Sequence, residues 1–142
     1  MDQIKKYWIG VAHQMHVEAG KSAGFCAFSH GKESAIKRLS IGDEFIYYAP
    51  RDKMEGAPVQ AFVALGKVTG PVGTKSMPGT DFCPFMRPAD YEDVRPFPVR
   101  PLLEDLSFVR NKQSWGMAFR RSLFDVSESD FTIISNALRG SE

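Results

Sequence analysis

"IGDEFIYYAP" (residues 41–50) and, shortly after it, "PVQAFVALGKVTG" (residues 58–70) decide the fold class. In the first, Gly42-Asp43 reads as a turn and Phe45 to Ala49 as a strand. Pro50 ends that strand, because proline has no amide to give a sheet ladder. The second stretch is dense in Val, Phe and Ala, is closed by Gly70-Pro71, and is the clearest strand of the chain. Tyr47 and Tyr48 are neighbours on a strand, so their rings point to opposite faces and at most one can line a given pocket.

Working outward, "YWIGVA" (7–12) alternates Tyr7, Ile9 and Val11 against Trp8, Gly10 and Ala12, as a strand with two differently packed faces should. "HQMHVEAGKSAG" (13–24) reads as a turn or short helix closed by glycine. "KESAIKRLS" (32–40) puts Ala35, Ile36 and Leu39 on one helical face. Downstream, most of the prolines fall between Gly70 and Pro101. There "DFCPFMRPADY" (81–91) and "VRPFPVRP" (94–101) keep a strand-like aromatic spacing and read as edge strands and connecting segments. "LLEDLSF" (102–108) suggests a short helix. "SESDFTIISNALRG" (127–140) is a helix by every local sign: Ser127 as N-cap, Asp130 three residues on, Phe131, Ile134 and Leu138 on one face, and Gly140 at its end. Short strands, few helices, no regular βαβ alternation and no internal repeat predict an α+β fold with a curled or closed sheet. No domain boundary is visible, so residues 1–142 read as a single domain.

Composition narrows the function classes. The chain has 142 residues, 43% hydrophobic and 25% charged, with 18 Lys and Arg against 17 Asp and Glu and a net charge of +1. Such a balance exerts no strong overall field, which counts against a tight non-specific coater of DNA; any phosphate contact must come from local clustering. Eleven Phe, four Tyr and two Trp supply aromatic surface for core, pocket or both. No apolar run approaches a membrane span and "MDQIKKYWIG" lacks a signal-peptide core, so no membrane is expected and the cytoplasm is the expected location. Cys26 and Cys83 stand far apart with no Cys/His ligand spacing, so neither a zinc site nor any other metal or cofactor is expected, and both thiols are expected to be free.

The run "KYWIGVA", then "GFCAFSHGK" (24–32), "IKRLSIGDEFIYYAPR" (36–51) and "VQAFVALGKV" (59–68), resembles the EVE domain of the PUA-like superfamily. "SWGMAFRRSLFDVSESDFTII" (114–134) matches the pattern of small bacterial EVE proteins. The likeness runs from Tyr7 to about Leu138. Ala49 departs from it where a Ser often follows the Tyr pair, which removes a hydroxyl, and Ser122 where Gly is common, which is expected to alter only a turn. The resemblance implies a small mixed PUA-like β-barrel flanked by helices, related to the YTH and ASCH domains. It further implies a module that reads a nucleobase, often a modified one, of DNA or RNA in an aromatic-lined pocket, and not an enzyme.

Recognition of one flipped or unpaired base needs aromatic faces for stacking, a few donors and acceptors for its edge, and a cation near the phosphate. The loop 24–32 can supply all three. Phe25 and Phe28 offer rings, His30 donates or accepts, Gly24 and Gly31 permit close backbone approach, and Lys32 sits at the start of a helix. Cys26 beside histidines superficially suggests a nucleophile, but no matched third group accompanies it, and the thiol reads as packing. Trp8, Tyr47, Tyr48 and Trp115 are the remaining candidates to line the pocket with Cys26 and Gly31. Trp115, in a loop before Gly116, is the strongest for stacking. Lys32, Arg38 and Arg120 are the candidate phosphate contacts. The rival readings are a small hydrolase or transferase acting on a nucleotide-like ligand through Cys26, His30 or nearby carboxylates, and a sensor domain for a free small molecule. The sequence leaves oligomeric state open.

Overall fold

The computed structural model describes residues 5–74 and 84–140. Cys83, and with it the start of the 81–91 stretch, lies outside the described residues. The elements run β1 (Tyr7–Val11), α1 (Gln14–Ala23), β2 (Phe25–Cys26), α2 (Glu33–Ile36), β3 (Glu44–Arg51), β4 (Pro58–Val68), β5 (Gly73–Thr74), β6 (Phe85–Tyr91), β7 (Phe97–Pro98), β8 (Leu123–Val126) and α3 (Glu128–Arg139). Single 3-10 turns occupy Ser29–Gly31, Arg100–Leu102 and Trp115–Phe119.

One mixed sheet runs β2-β6-β4-β3-β1-β8, with β5 beside β6 and β7 beside β4. β1 and β3 pair in parallel, and the other neighbours are antiparallel. Two register shifts break the β3–β4 ladder, between Tyr47 and Tyr48 and between Ala49 and Arg51. Bulges of this kind bend and twist a sheet, and here they help it to curl as a small barrel must. This is the mixed-sheet, PUA-type α+β architecture.

The curl creates two cores, and the strand alternation sorts residues between them. Trp8, Phe45 and Tyr47 pack on one face with Cys26, Phe28, Ile36 and Leu39. Ile9, Ile46 and Tyr48 pack on the other with Phe62, Phe119, Phe124 and the α3 residues Phe131, Ile134 and Leu138. The hydroxyl of Ser127 accepts the Asp130 amide at 3.1 Å to cap α3, and Gly140 closes the helix in the left-handed conformation at φ 77°. The Asp130 carboxylate turns away from the cap and accepts both the backbone amide (3.0 Å) and the hydroxyl (2.5 Å) of Ser107, tying the 107–121 segment to α3.

Three local readings change. β6 is not an edge strand: Phe85 and Met86 pair with β5, Arg87 and Pro88 with β2, and Ala89 to Tyr91 with β4. Pro88 falls where pairing passes from β2 to β4, a place where a missing amide is tolerated. Pro50 lies within β3 rather than beyond it, beside the second register shift. "LLEDLSF" forms no regular helix. A 3-10 turn with Pro101 near its start ends at Leu102, and Leu102, Leu103 and Leu106 are buried through it and the turns that follow.

Candidate functional site

Where β1, α1, the 24–32 loop and the end of the Trp115–Phe119 turn meet, they leave a cleft of about 280 Å³. That is at the lower edge of the roughly 300–1,000 Å³ spanned by small-molecule sites. Phe28 forms its floor. The ring stacks on Tyr47 at 5.1 Å and 23°, and meets Phe45 edge-on at 5.7 Å. It can lie there only because β1 carries Gly10 at that point: a Cβ would come within 2.4 Å of the Phe28 ring. The Tyr47 hydroxyl donates to the Ala27 carbonyl at 2.6 Å and accepts the Ala27 amide at 3.1 Å. Tyr91 donates to the Phe25 carbonyl at 2.8 Å. Burial pushes the Tyr47 pKa well above the usual phenol value, so it stays a neutral clamp.

The loop then makes an uncommon turn. Ser29, His30 and Gly31 have φ of 53°, 59° and 78°, three left-handed residues in a row, of which only the last is glycine. Each non-glycine in that region costs roughly 1–2 kcal/mol. The turn is held by the Gly31 amide donating to the Phe28 carbonyl at 3.0 Å and by a short hydrogen bond between the Ser29 and Ser122 hydroxyls. Strain maintained this way clusters at functional sites.

All three histidines of the chain, His13, His16 and His30, line this cleft. His13 is the N-cap residue of α1 yet makes no side-chain cap, and its Nδ1 is buried without a hydrogen-bond partner. A buried polar atom left unpaired is costly and calls for an explanation. His16 lies one turn on, and crowding by its surroundings holds its pKa below the ordinary imidazole value; an accepting Ala27 carbonyl opposes that shift, and His30 and His13 add to it. Arg120 borders the cleft and, among the described residues, forms no ion pair. Among the described residues no carboxylate lines the cleft, and the amino end of α1, which has no acidic residue in its first turn, opens beside it. The site is therefore rich in donors and mildly positive. Among the described residues, no group of three or more His, Cys, Asp or Glu side chains is arranged to hold a metal.

Of the residues singled out in the sequence, the cleft brings together Phe28, His30 and Arg120. Trp8 is buried, its Nε1 donating to Asp43 at 2.9 Å, with the Arg38 guanidinium 5.1 Å above its ring. Arg38 also donates to the Leu123 carbonyl, so both residues are engaged away from the cleft. Tyr47 and Tyr48 do point to opposite faces, but both are buried: one beneath Phe28, the other stacked on Phe119 at 4.1 Å. Phe25 and Cys26 are buried beside β6, and the apolar surroundings raise the thiol pKa to about 12, which closes the thiolate route near neutral pH. Gly31 is buried behind His30, while Lys32 is exposed at the start of α2 and does not line the cleft. Trp115 lines a separate groove. His13, His16, Ser29, Phe119 and Ser122 line the cleft and were not among the candidates. The His13/His16 spacing of three, one face of a helix, was the available signal. Ser122 does more than shape a turn, since its hydroxyl braces the strained loop.

The family model described as EVE domain matches residues 6–137, and the chain belongs to that family. A UPF0310 protein of Mycolicibacterium vanbaalenii is 35% identical over 132 residues, covering 92% of this chain and 91% of the relative. A UPF0310 protein in the gntR 5′ region of Bacillus licheniformis is 38% identical over 120 residues, covering 84% and 82%. Among solved structures, the YTH domain of the Zygosaccharomyces rouxii MRB1 protein, in complex with N6-methyladenosine RNA, superposes with a TM-score of 0.67. It covers 99% of this chain and 88% of that one at 9% identity, a likeness of fold.

Proposed function

We propose that this protein is a nucleic-acid-binding module that takes up one unpaired or flipped base, modified or unmodified, in the histidine-lined cleft. The observation that carries the reading is the convergence of all three histidines, one of them with an orphaned buried nitrogen, on a strained turn above a fixed phenylalanine. Imidazoles and Phe28 provide π surfaces, ring nitrogens and serine hydroxyls address a base edge, and Arg120 stands at the rim for a phosphate. The fold neighbour bound to N6-methyladenosine RNA supports a base as the ligand. Burial of Cys26 favours a binding role over thiol catalysis.

The test is fluorescence anisotropy with single-stranded RNA and DNA oligonucleotides, each with a central adenine, N6-methyladenine or abasic site. His30→Ala and His13→Ala should weaken binding to base-bearing strands and leave the abasic strand unchanged. Arg120→Ala should weaken all strands alike. If the wild-type protein binds abasic and base-bearing strands equally, base reading in the cleft is wrong.

A further inference from the structure

The cleft accounts for Arg120 but not for what lies beside it. From Leu106 to Phe124 the chain carries Arg110, Lys112, Arg120 and Arg121 and not one carboxylate, in a protein whose charges otherwise nearly balance. The segment folds around a second groove of about 500 Å³, lined by Phe108, Arg110, Trp115, Met117 and Arg121. Trp115 meets Phe119 edge-on at 6.2 Å and 77°, and the Arg100 guanidinium sits 5.3 Å from its ring centre. Met117, 58% exposed, is one of the few large apolar side chains left open to solvent among the described residues. Lys112 is occupied, donating to the Val109 carbonyl at 2.6 Å, whereas Arg110 and Arg121 form no ion pair among the described residues. The loop before Trp115 is organised in advance: the Asn111 side-chain oxygen accepts the amides of Gln113 and Ser114 at 3.0 and 3.1 Å.

The groove and the cleft are both lined by one short stretch of chain. Phe119 and Arg120 border the cleft, while Trp115, Met117 and Arg121 of the same short segment border the groove. An aromatic ring flanked by arginines that no carboxylate engages is the combination that binds single strands through stacking and phosphate contact.

We infer that the groove is a second subsite, holding the nucleotide next to the one read in the cleft. Trp115 stacks on that nucleotide's base, and Arg110 and Arg121 contact the adjoining phosphates. The inference rests on the cleft reading and extends the footprint to at least two nucleotides. It assigns sequence-tolerant affinity to the groove and base discrimination to the cleft.

The experiment uses the full chain, fluorescein-labelled random-sequence RNA and DNA hexamers, and an equimolar mixture of nucleoside monophosphates as the one-nucleotide probe. Trp115→Ala should weaken hexamer binding roughly 5- to 150-fold, with the salt slope unchanged. Trp115→Phe should recover most of the loss. Arg110→Gln and Arg121→Gln should each lower the salt slope by about 0.7, the single-strand value per phosphate contact. None of these variants should change monophosphate binding. Should Trp115→Ala unfold the protein, which a thermal melt would show, the two exposed arginines carry the test alone. Hexamer binding like wild type in the arginine variants overturns the inference and leaves the groove to another class of partner, such as an acidic protein segment. If groove variants weaken hexamers while His30→Ala and His13→Ala change nothing, the groove binds nucleic acid and the cleft reading is the one that falls.

Discussion

The loop 24–32 and the segment 107–121 are both rich in aromatic residues, yet they use them in opposite ways. In the loop, Phe25 through Phe28 are buried, and the Tyr47 and Tyr91 hydroxyls fasten its backbone from below. In the segment, Val109 and Phe119 are buried, but Trp115 is half-buried and the arginines stand in solvent. The first region is a wall whose rings set a shape; the second is a surface whose ring and charges are available. The difference teaches that aromatic content alone does not mark a binding site. What matters is whether the barrel interior has already claimed the ring.

The sharpest way to break this contrast is Tyr47→Phe. It leaves the Ala27 amide buried without its partner, at about 1–3 kcal/mol, and takes one donor from the Ala27 carbonyl, at about 0.5–1.5 kcal/mol. Urea unfolding should show a loss of roughly 1.5–4.5 kcal/mol; a loss below about 1 kcal/mol would mean the wall is not held from beneath.

Gly10→Ala tests the floor from the other side. The added methyl collides with the Phe28 ring, and overpacking of this kind costs about 1–3 kcal/mol. Ligand affinity should fall as well, because the ring must move. A variant that keeps both wild-type stability and affinity would show that β1 does not set the position of Phe28.

His30→Gly should act with the opposite sign on stability. Relief of the left-handed strain at φ 59° should stabilise the fold by up to about 1 kcal/mol, while base-dependent binding falls. If the melting temperature drops, the turn is not strained in the way described.

In the outer segment, Arg121→Gln should change stability by no more than about 0.5 kcal/mol, the loss of an exposed contact over Phe124. Its measurable effect belongs to the salt dependence of binding. A large thermal destabilisation would place Arg121 among the structural residues and erase the contrast.

The smallest effect is one of pH. The folded-state pKa of His16 is lowered, chiefly by desolvation, so the folded protein binds fewer protons there than the unfolded chain. Its stabilising contribution is therefore full above the ordinary value near 6.5 and is lost as pH falls through the lower folded value. Comparing wild type with His16→Gln by thermal melts from pH 7.5 to 5 should show a slightly steeper acid loss in wild type. Parallel curves would remove His16 from the acid sensitivity of the fold.

Much of this molecule was written locally. The Ser127 cap, the apolar stripe of α3 and Gly140 depend on residues within one or two turns of each other, and all three stand as the sequence implies. The alternation in β1 and β3 likewise sends Trp8 and Tyr47 to one core and Ile9 and Tyr48 to the other, since a pleated strand has a period of two. The motif order from Tyr7 to Leu138 identified the family, and the match to residues 6–137 shows it.

The make-up of the cleft was decided elsewhere, by sheet curvature and contacts between residues far apart in the chain. Whether a tyrosine ring is covered depends on what packs over it, and here a ring from residue 28 covers one and a ring from residue 119 stacks on the other. Ser29 and Ser122 meet across 93 positions, and three histidines from two chain segments meet at one opening. No local spacing encodes such a meeting. It follows from the β3–β4 register shifts, the parallel β1–β3 pairing and the missing Cβ at Gly10, which together set how closely loop and sheet approach.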